Sequence, residues 1–248
     1  MKNLSLSGEA VYLIAICLLS LAVAMISAAN FGLSMIVAPA YLVSVKTGVL
    51  TFGQAEYVVQ LILFAVFCVV MKKFKLVYVS SFVTCLIYGA ALDLWRLIPA
   101  FNPDITPPGS MATWLRITYF IVGVLLTSFS IALFYKTYLY PQVYDFFVKG
   151  VSAKYGFKIA KFKTIFDLCC LAAGVALSFA FFGELRGIGA GTFVMAAING
   201  FLIGCFGKLI DKTLEITPRL KKFAGYFDLT NPKKENAAEE PNSESHIE

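Results

Sequence analysis

Six long apolar runs punctuate the chain, at 10–29, 53–71, 76–98, 117–135, 164–182 and 187–207. Each has the length, about 20 residues, that an α-helix needs to cross hydrocarbon. The runs 10–29, 117–135 and 187–207 contain no charged residue. Two shorter stretches, 33–48 and 138–155, are moderately apolar and each carries a proline. They read as short non-crossing helices, either re-entrant or interfacial. Non-helical or non-spanning backbone survives at membrane depth only when buried in protein or lining a wet cavity; otherwise such a helix lies amphipathically on the surface. The pattern predicts an all-α polytopic membrane protein with six transmembrane helices and two short Pro-containing helices. The short alternating segments of a β-barrel are not visible. The first run ends in Ser27-Ala28-Ala29, which resembles a cleavage site. Its basic flank is Lys2 alone, offset by Glu9, and the run exceeds an ordinary signal-peptide core, so it is read as a retained span.

The pattern also repeats. Residues 81–92 read SFVTCLIYGAAL and residues 192–203 read TFVMAAINGFLI. At an offset of 111, Phe82/Phe193, Val83/Val194, Ile87/Ile198 and Gly89/Gly200 coincide, and Glu56 falls on Asp167. The expected organisation is a first membrane repeat (1–98), an external loop with four prolines (99–114), a second repeat (115–212) and a cytoplasmic segment (213–248). Each half follows one plan: span, short helix, span, span. Three crossings per half make the halves run oppositely, and inverted repeats with interrupted helices typify many secondary transporters.

Composition narrows the class. Hydrophobic residues make up 59% and charged residues 15%, against about 25% charged in soluble domains. A soluble enzyme, a secreted disulfide scaffold and a disordered regulator are excluded. All six cysteines lie inside the predicted spans, and the adjacent Cys169 and Cys170 read as packing residues. The one histidine is His246, in the polar tail. No metal site, cofactor or histidine-based catalysis is expected.

The net charge of +6 is unevenly spread. Lys72, Lys73 and Lys75 follow the second run, six lysines from Lys136 to Lys163 lie between the fourth and fifth, and Lys208 to Lys222 follow the sixth. The alternate loops hold only Lys46, Arg96, Arg116 and Arg186. The positive-inside rule then puts both termini in the cytoplasm of a plasma-membrane protein. The basic segment after residue 212 is expected on the anionic leaflet, and residues 228–248 are expected to be disordered.

Charged residues inside spans are costly and are functional candidates. They are Glu56, Asp93 and Asp167, with Arg96 near the last turn of the third span and Asp145 on the second short helix. Asp93 and Arg96 are spaced to pair with each other, as are Asp145 and Lys149. Glu56 and Asp167 are either solvated anchors or cavity groups that take up a proton or monovalent cation. Tyr88 and Asn199 occupy equivalent positions, one residue before Gly89 and Gly200. Gly187, Gly189 and Gly191 form G-x-G-x-G, but no strand precedes it, so nucleotide binding is a weak reading. These glycines, with Gly89 and Gly200, read as sites of close helix packing.

Three stretches carry a family resemblance: Gly187-Ile188-Gly189-Ala190-Gly191-Thr192, Tyr140-Pro141-Gln142-Val143-Tyr144-Asp145, and Phe166-Asp167-Leu168. Over residues 10–212 the chain resembles the YczE/YyaS/YitT group of bacterial integral membrane proteins. The resemblance implies fold and membrane location more than substrate. The residues themselves favour a small-solute transporter or exporter, driven by an ion gradient or a partner. A membrane subunit of an ATPase-driven transporter and a non-transporting scaffold or sensor remain open. No nucleophile–base set favours an enzyme. The expected partners are the lipid bilayer, an unidentified small solute and protons or monovalent cations, with no nucleic acid. Substrate, direction, coupling ion and oligomeric state are left open.

Overall fold

The computed structural model describes residues 4–72, 78–139 and 141–219. Lys73, Lys75, Tyr140, Lys221, Lys222, His246 and the acidic tail expected to be disordered lie outside the described residues. The described residues form eight α-helices: α1 (Gly8–Ala29), α2 (Ala38–Thr47), α3 (Phe52–Met71), α4 (Val79–Arg96), α5 (Thr113–Lys136), α6 (Val143–Tyr155), α7 (Ile159–Phe182) and α8 (Ala190–Thr213). Long, short, long and long helices thus follow one another twice. Two single 3-10 turns, Pro99–Phe101 and Pro108–Ser110, shape the loop between the halves.

Five helices are long and apolar enough to cross a membrane: α1, α3, α5, α7 and α8. The fourth, α4, has 18 residues and ends with Asp93 and Arg96 in its last turn, and it falls outside that group among the described residues. The helix ends follow local chemistry. Ser7 caps α1 by accepting from the Ala10 amide at 3.3 Å, and Thr51 with Gln54 forms a capping box on α3. The αL residues Asn30, Gly48, Gly156 and Gly183 stop α1, α2, α6 and α7.

The bundle is organised around α1, which packs along α5 and against α4. Small residues make this possible. Ala15, Ala22, Ala24, Ala28 and Ala29 of α1 are almost fully buried, and Gly123 of α5 sits where any side chain would strike Ile26 and the Ala22 carbonyl. α5 packs on α8 as α1 packs on α4, and α2 packs on α7 as α6 packs on α3. The short helices are enclosed rather than laid on the surface. Val143, Tyr144, Phe146, Phe147 and Val148 of α6 are all buried, and Phe67 of α3 fills the gap beside Gly150. Around this second, smaller core, the Phe67 ring packs edge-on or tilted against Tyr78, Phe146 and Phe147. Large apolar side chains elsewhere stay exposed, among them Leu61, Ile121, Leu168, Phe193 and Phe201, as expected of surfaces facing lipid tails.

The last turns of the short helices have a matched role. Lys46 of α2 donates to the Phe181 carbonyl at the end of α7, at 2.9 Å. Lys154 of α6 donates to the Val70 and Met71 carbonyls at the end of α3, at 2.8 Å each. Each lysine satisfies carbonyls that a helix C-terminus leaves unpaired. Each does so on the third helix of the other half.

Residues 214–217 depart from the expectation of a segment lying on the leaflet. They form a strand, β2 (Leu214–Thr217), which pairs in parallel with β1 (Leu4–Ser7). Leu6, Leu214 and Ile216 pack against the main core. Glu9 binds this corner together, accepting from the Tyr138 hydroxyl at 2.7 Å and from the Arg219 amide at 3.3 Å. The start of α1 and the end of α8 therefore lie side by side.

Candidate functional site

A cavity of about 350 Å³ lies between the two halves of the bundle. Its walls come from α1, residues 33–37, Tyr88 of α4, α5, the start of α6, α7 and α8. The consecutive helices α7 and α8 make almost no contact with each other, whereas α3 and α4 pack closely. The cavity occupies the space that this difference leaves. Most of its wall is apolar, with Leu19, Val23, Ile131, Phe134, Met195 and Ile203 prominent. A limited set of polar groups converges on it, which is the usual make-up of a small-molecule pocket.

Asp145 and Asp167 both reach this wall, and Lys163 stands between them. Its ammonium lies 3.3 Å from Asp145 Oδ1 and 3.6 Å from Asp167 Oδ1. The second distance exceeds a hydrogen bond, and Asp167 Oδ1 is buried with no hydrogen-bond partner. The cluster carries two carboxylates against one ammonium. Lys149 does not join it; its ammonium lies over the Tyr135 ring at 5.2 Å. The i,i+4 spacing suggested a local pair for Asp145, but α7 brings a competing lysine from across the α6–α7 turn.

Glu56 sits one layer behind the wall and is fully buried. Its Oε2 accepts from Gln60 Nε2 at 3.0 Å and from the Tyr144 hydroxyl at 3.2 Å. Gln60 in turn accepts from the Val143 amide at 3.1 Å and donates to Gln142 Oε1 at 3.3 Å. The network ties α3 to the first turn of α6. Two of its members, Gln142 and Tyr144, line the cavity. It is incomplete: Glu56 Oε1 and Gln142 Nε2 are buried without partners, and such atoms usually cost free energy unless something else meets them.

Tyr88 and Asn199 both reach the cavity wall. Asn199 Oδ1 accepts from the Ser128 hydroxyl at 2.8 Å. The neighbouring glycines differ sharply. Gly89 is pressed against the Tyr57 ring and the Gly53 carbonyl, while Gly200 has nothing within 4 Å of where a Cβ would stand. Gly189 packs against the loop after α1, while Gly187 also abuts Tyr41 of α2 and Gly191 abuts Phe120 of α5. Gly187 has φ +66° and its carbonyl accepts from the Leu33 amide at 2.8 Å, while the Gly191 amide donates to the Phe31 carbonyl at 2.8 Å.

Asp93 and Arg96 lie outside the cavity and do not pair with each other. Asp93 accepts from the Thr51 hydroxyl at 2.5 Å and from the Gly53 amide at 2.8 Å. The open amides at the start of α3 take that carboxylate, and the Arg96 guanidinium lies over the Phe52 ring instead, at 5.6 Å. Arg96 instead pairs with Asp104 at 2.7 Å. At the repeat offset, Asp93 corresponds to Gly204 of α8, which has no side chain to make such a link.

Lys163, Gln60, Gln142, Tyr144 and Thr127 were not singled out in the sequence. Two carried a usable signal: Gln60 is four residues after Glu56 and Lys163 four before Asp167, so each shares a helix face with a candidate acid.

A family described as a family of unknown function, DUF6198, matches residues 6–208. The chain belongs to that family. The match takes in all eight helices apart from the last residues of α8, and every residue of the cavity wall. No curated protein and no solved structure matches the chain.

Proposed function

We propose that this member of the DUF6198 family is a small-solute transporter of the plasma membrane, with six crossings arranged as two inverted repeats. The likeness to the YczE/YyaS/YitT group belongs to the same reading. The observation that carries it is the mostly apolar cavity with charged groups from α6 and α7 in its wall. An ionisable group at membrane depth persists when it serves a path for solute or ions.

Three features support the arrangement. The ladder between β1 and β2 brings the start of α1 and the end of α8 to one end of the bundle, which favours an even number of crossings and makes α4 the sixth. The helix pairs α1–α4 and α5–α8 match, as do α2–α7 and α6–α3. Lys46 and Lys154 perform the same capping on opposite halves, and the positive-inside pattern assigns them to opposite faces. The tight α3–α4 pair and the parted α7–α8 pair are the two states that alternating access requires of equivalent gates, here present together.

Glu56 and Asp167 are the repeat-equivalent carboxylates, one behind the wall and one in it. Replacing Glu56 with Gln or Asp167 with Asn keeps shape and removes charge. Purified protein in liposomes should drive solute flux under an imposed pH gradient, in a screen of amine, amino acid and neutral solutes. Both variants should insert and elute as wild type, with gradient-driven flux cut about tenfold or more, the scale of a lost charge interaction in a sheltered site. Wild-type flux from both variants, or no gradient-dependent flux of any solute, would reject the reading.

A further inference from the structure

We infer that the cavity binds an organic monocation with an apolar body and a hydrogen-bonding oxygen, its ammonium seated between Asp145 and Asp167 where Lys163 now stands. The inference rests on the transporter reading above and names the solute class for the same cavity.

Charge comes first. Asp145 and Asp167 face Lys163, and no other basic side chain reaches the wall among the described residues. The cluster is one negative charge in excess, in a wall that is otherwise apolar. Both ion pairs of Lys163 are long, so the ammonium bridges two acids without meeting either closely. A ligand ammonium can approach each acid at a normal charge-assisted distance of about 2.8 Å, which the tethered lysine does not reach. Lys163 then serves as a resident counter-ion that offsets one of the two acid charges while the cavity is empty. Its flexible stem lets it withdraw as the ligand cation enters.

Independent of charge, two sheltered polar atoms in the wall lack partners. Thr127 is 5% exposed and Gln142 is 7% exposed. Thr127 Oγ1 and Gln142 Nε2 make no hydrogen bond. An amide N–H donor and a hydroxyl left unpaired in a pocket are matched by an oxygen on the ligand. The remaining wall of Val23, Ile131, Phe134 and Met195 suits an apolar or aromatic body. A free inorganic cation would satisfy the acids but leave both that wall and the Gln142 amide unmet.

The test uses three probes on one skeleton: 2-amino-1-phenylethanol (cation), 1-phenylethane-1,2-diol (neutral) and mandelate (anion). Each is titrated against the full chain in lipid nanodiscs, with empty nanodiscs subtracted. The cation should bind at least about tenfold more tightly than the diol, and mandelate should not bind. Asp145→Asn and Asp167→Asn should each weaken the cation about tenfold or more and the diol far less. Lys163→Met should strengthen cation binding, because it removes the competing ammonium. Should Lys163→Met fail to fold, the two aspartate variants still decide. Equal binding of all three probes overturns the inference, as does mandelate binding that Lys163→Met abolishes. Because this is an equilibrium measurement, it separates the two readings. Cation binding without flux sinks the transporter and keeps the site, while gradient-driven flux of anions or neutral solutes does the reverse.

Discussion

Gly53→Ala should be the most damaging single methyl group added to this protein. At Gly53 a Cβ would overlap the backbone carbonyl of Gly89 and come within 2.7 Å of Asp93 Oδ2. A backbone carbonyl inside α4 cannot rotate away as a side chain can, so α3 and α4 would have to part. Overpacking a tight site typically costs about 1–3 kcal/mol and sometimes more; with backbone on both sides, about 3 kcal/mol is expected. The natural control is Gly200→Ala on α8, the counterpart of Gly89, where nothing lies within 4 Å. There the added methyl should be neutral or slightly stabilising, because alanine exceeds glycine in helix propensity by about 1 kcal/mol. Thermal unfolding in detergent, followed by tryptophan fluorescence or size-exclusion recovery, should show a clear drop for Gly53→Ala and none for Gly200→Ala. Equal midpoints would mean that the two helix pairs are not packed differently.

Asp93→Ala is the second large effect, and it acts on the same seam. The carboxylate accepts from the Thr51 hydroxyl and the Gly53 amide, and Thr51 is itself the cap of α3. Removing it strands two donors at the end of a helix. Hydrogen bonds to a charged group contribute about 1.5–3 kcal/mol each, so a loss of about 3 kcal/mol or more is expected. The change should also loosen α4 from α3 locally. Cys85 reports this, because it is fully buried and its thiol lies 3.9 Å from the Glu56 carbonyl. In a variant keeping Cys85 as its sole cysteine, a membrane-permeant maleimide should label the Asp93→Ala protein several-fold faster than its parent. Unchanged labelling, with an unchanged unfolding midpoint, would show that Asp93 is not the latch of that seam.

The long helices were legible because each rests on a local signal. The apolar runs 10–29 and 53–71 became α1 and α3 with shifts of two residues or fewer at their ends. The last run starts later, at Ala190 rather than 187, because Gly187 bonds Leu33 and Gly189 abuts Phe31 and Gly32 in the turn before α8, which then runs on to Thr213. The β1–β2 pair was not legible. LSLS and LEIT each alternate for only four residues, and their partnership spans nearly the whole chain. The partners of Asp93 and Asp145 depart from local spacing for a related reason. Spacing along one helix names the neighbours available locally, whereas Thr51 and Lys163 are brought in by tertiary packing. Glu56, Asp167, Tyr88 and Asn199 could be picked out as polar groups in apolar surroundings, but which of them reaches a shared cavity depends on how far α7 stands from α8, and no residue pattern records that distance.

The pairing of Leu4–Ser7 with Leu214–Thr217 has a consequence for biogenesis. The first strand leaves the ribosome long before its partner exists, so its edge must wait through the insertion of every helix. The ends are then close enough to be joined head to tail. At about 3.3 Å per residue, a linker of about five residues would carry Thr217 back to Leu4 past the four-residue strand. New ends could be cut in the loop between Arg96 and Thr113. Such a circular permutant would keep every helix neighbour and reverse the order of synthesis, sending α5–α8 to the translocon first. On the six-crossing reading proposed above, its N-terminus would then have to cross the bilayer, which that reading does not ask of the native one. Whether it assembles would reveal if orientation is set by the leading helix or by the whole pattern of lysines.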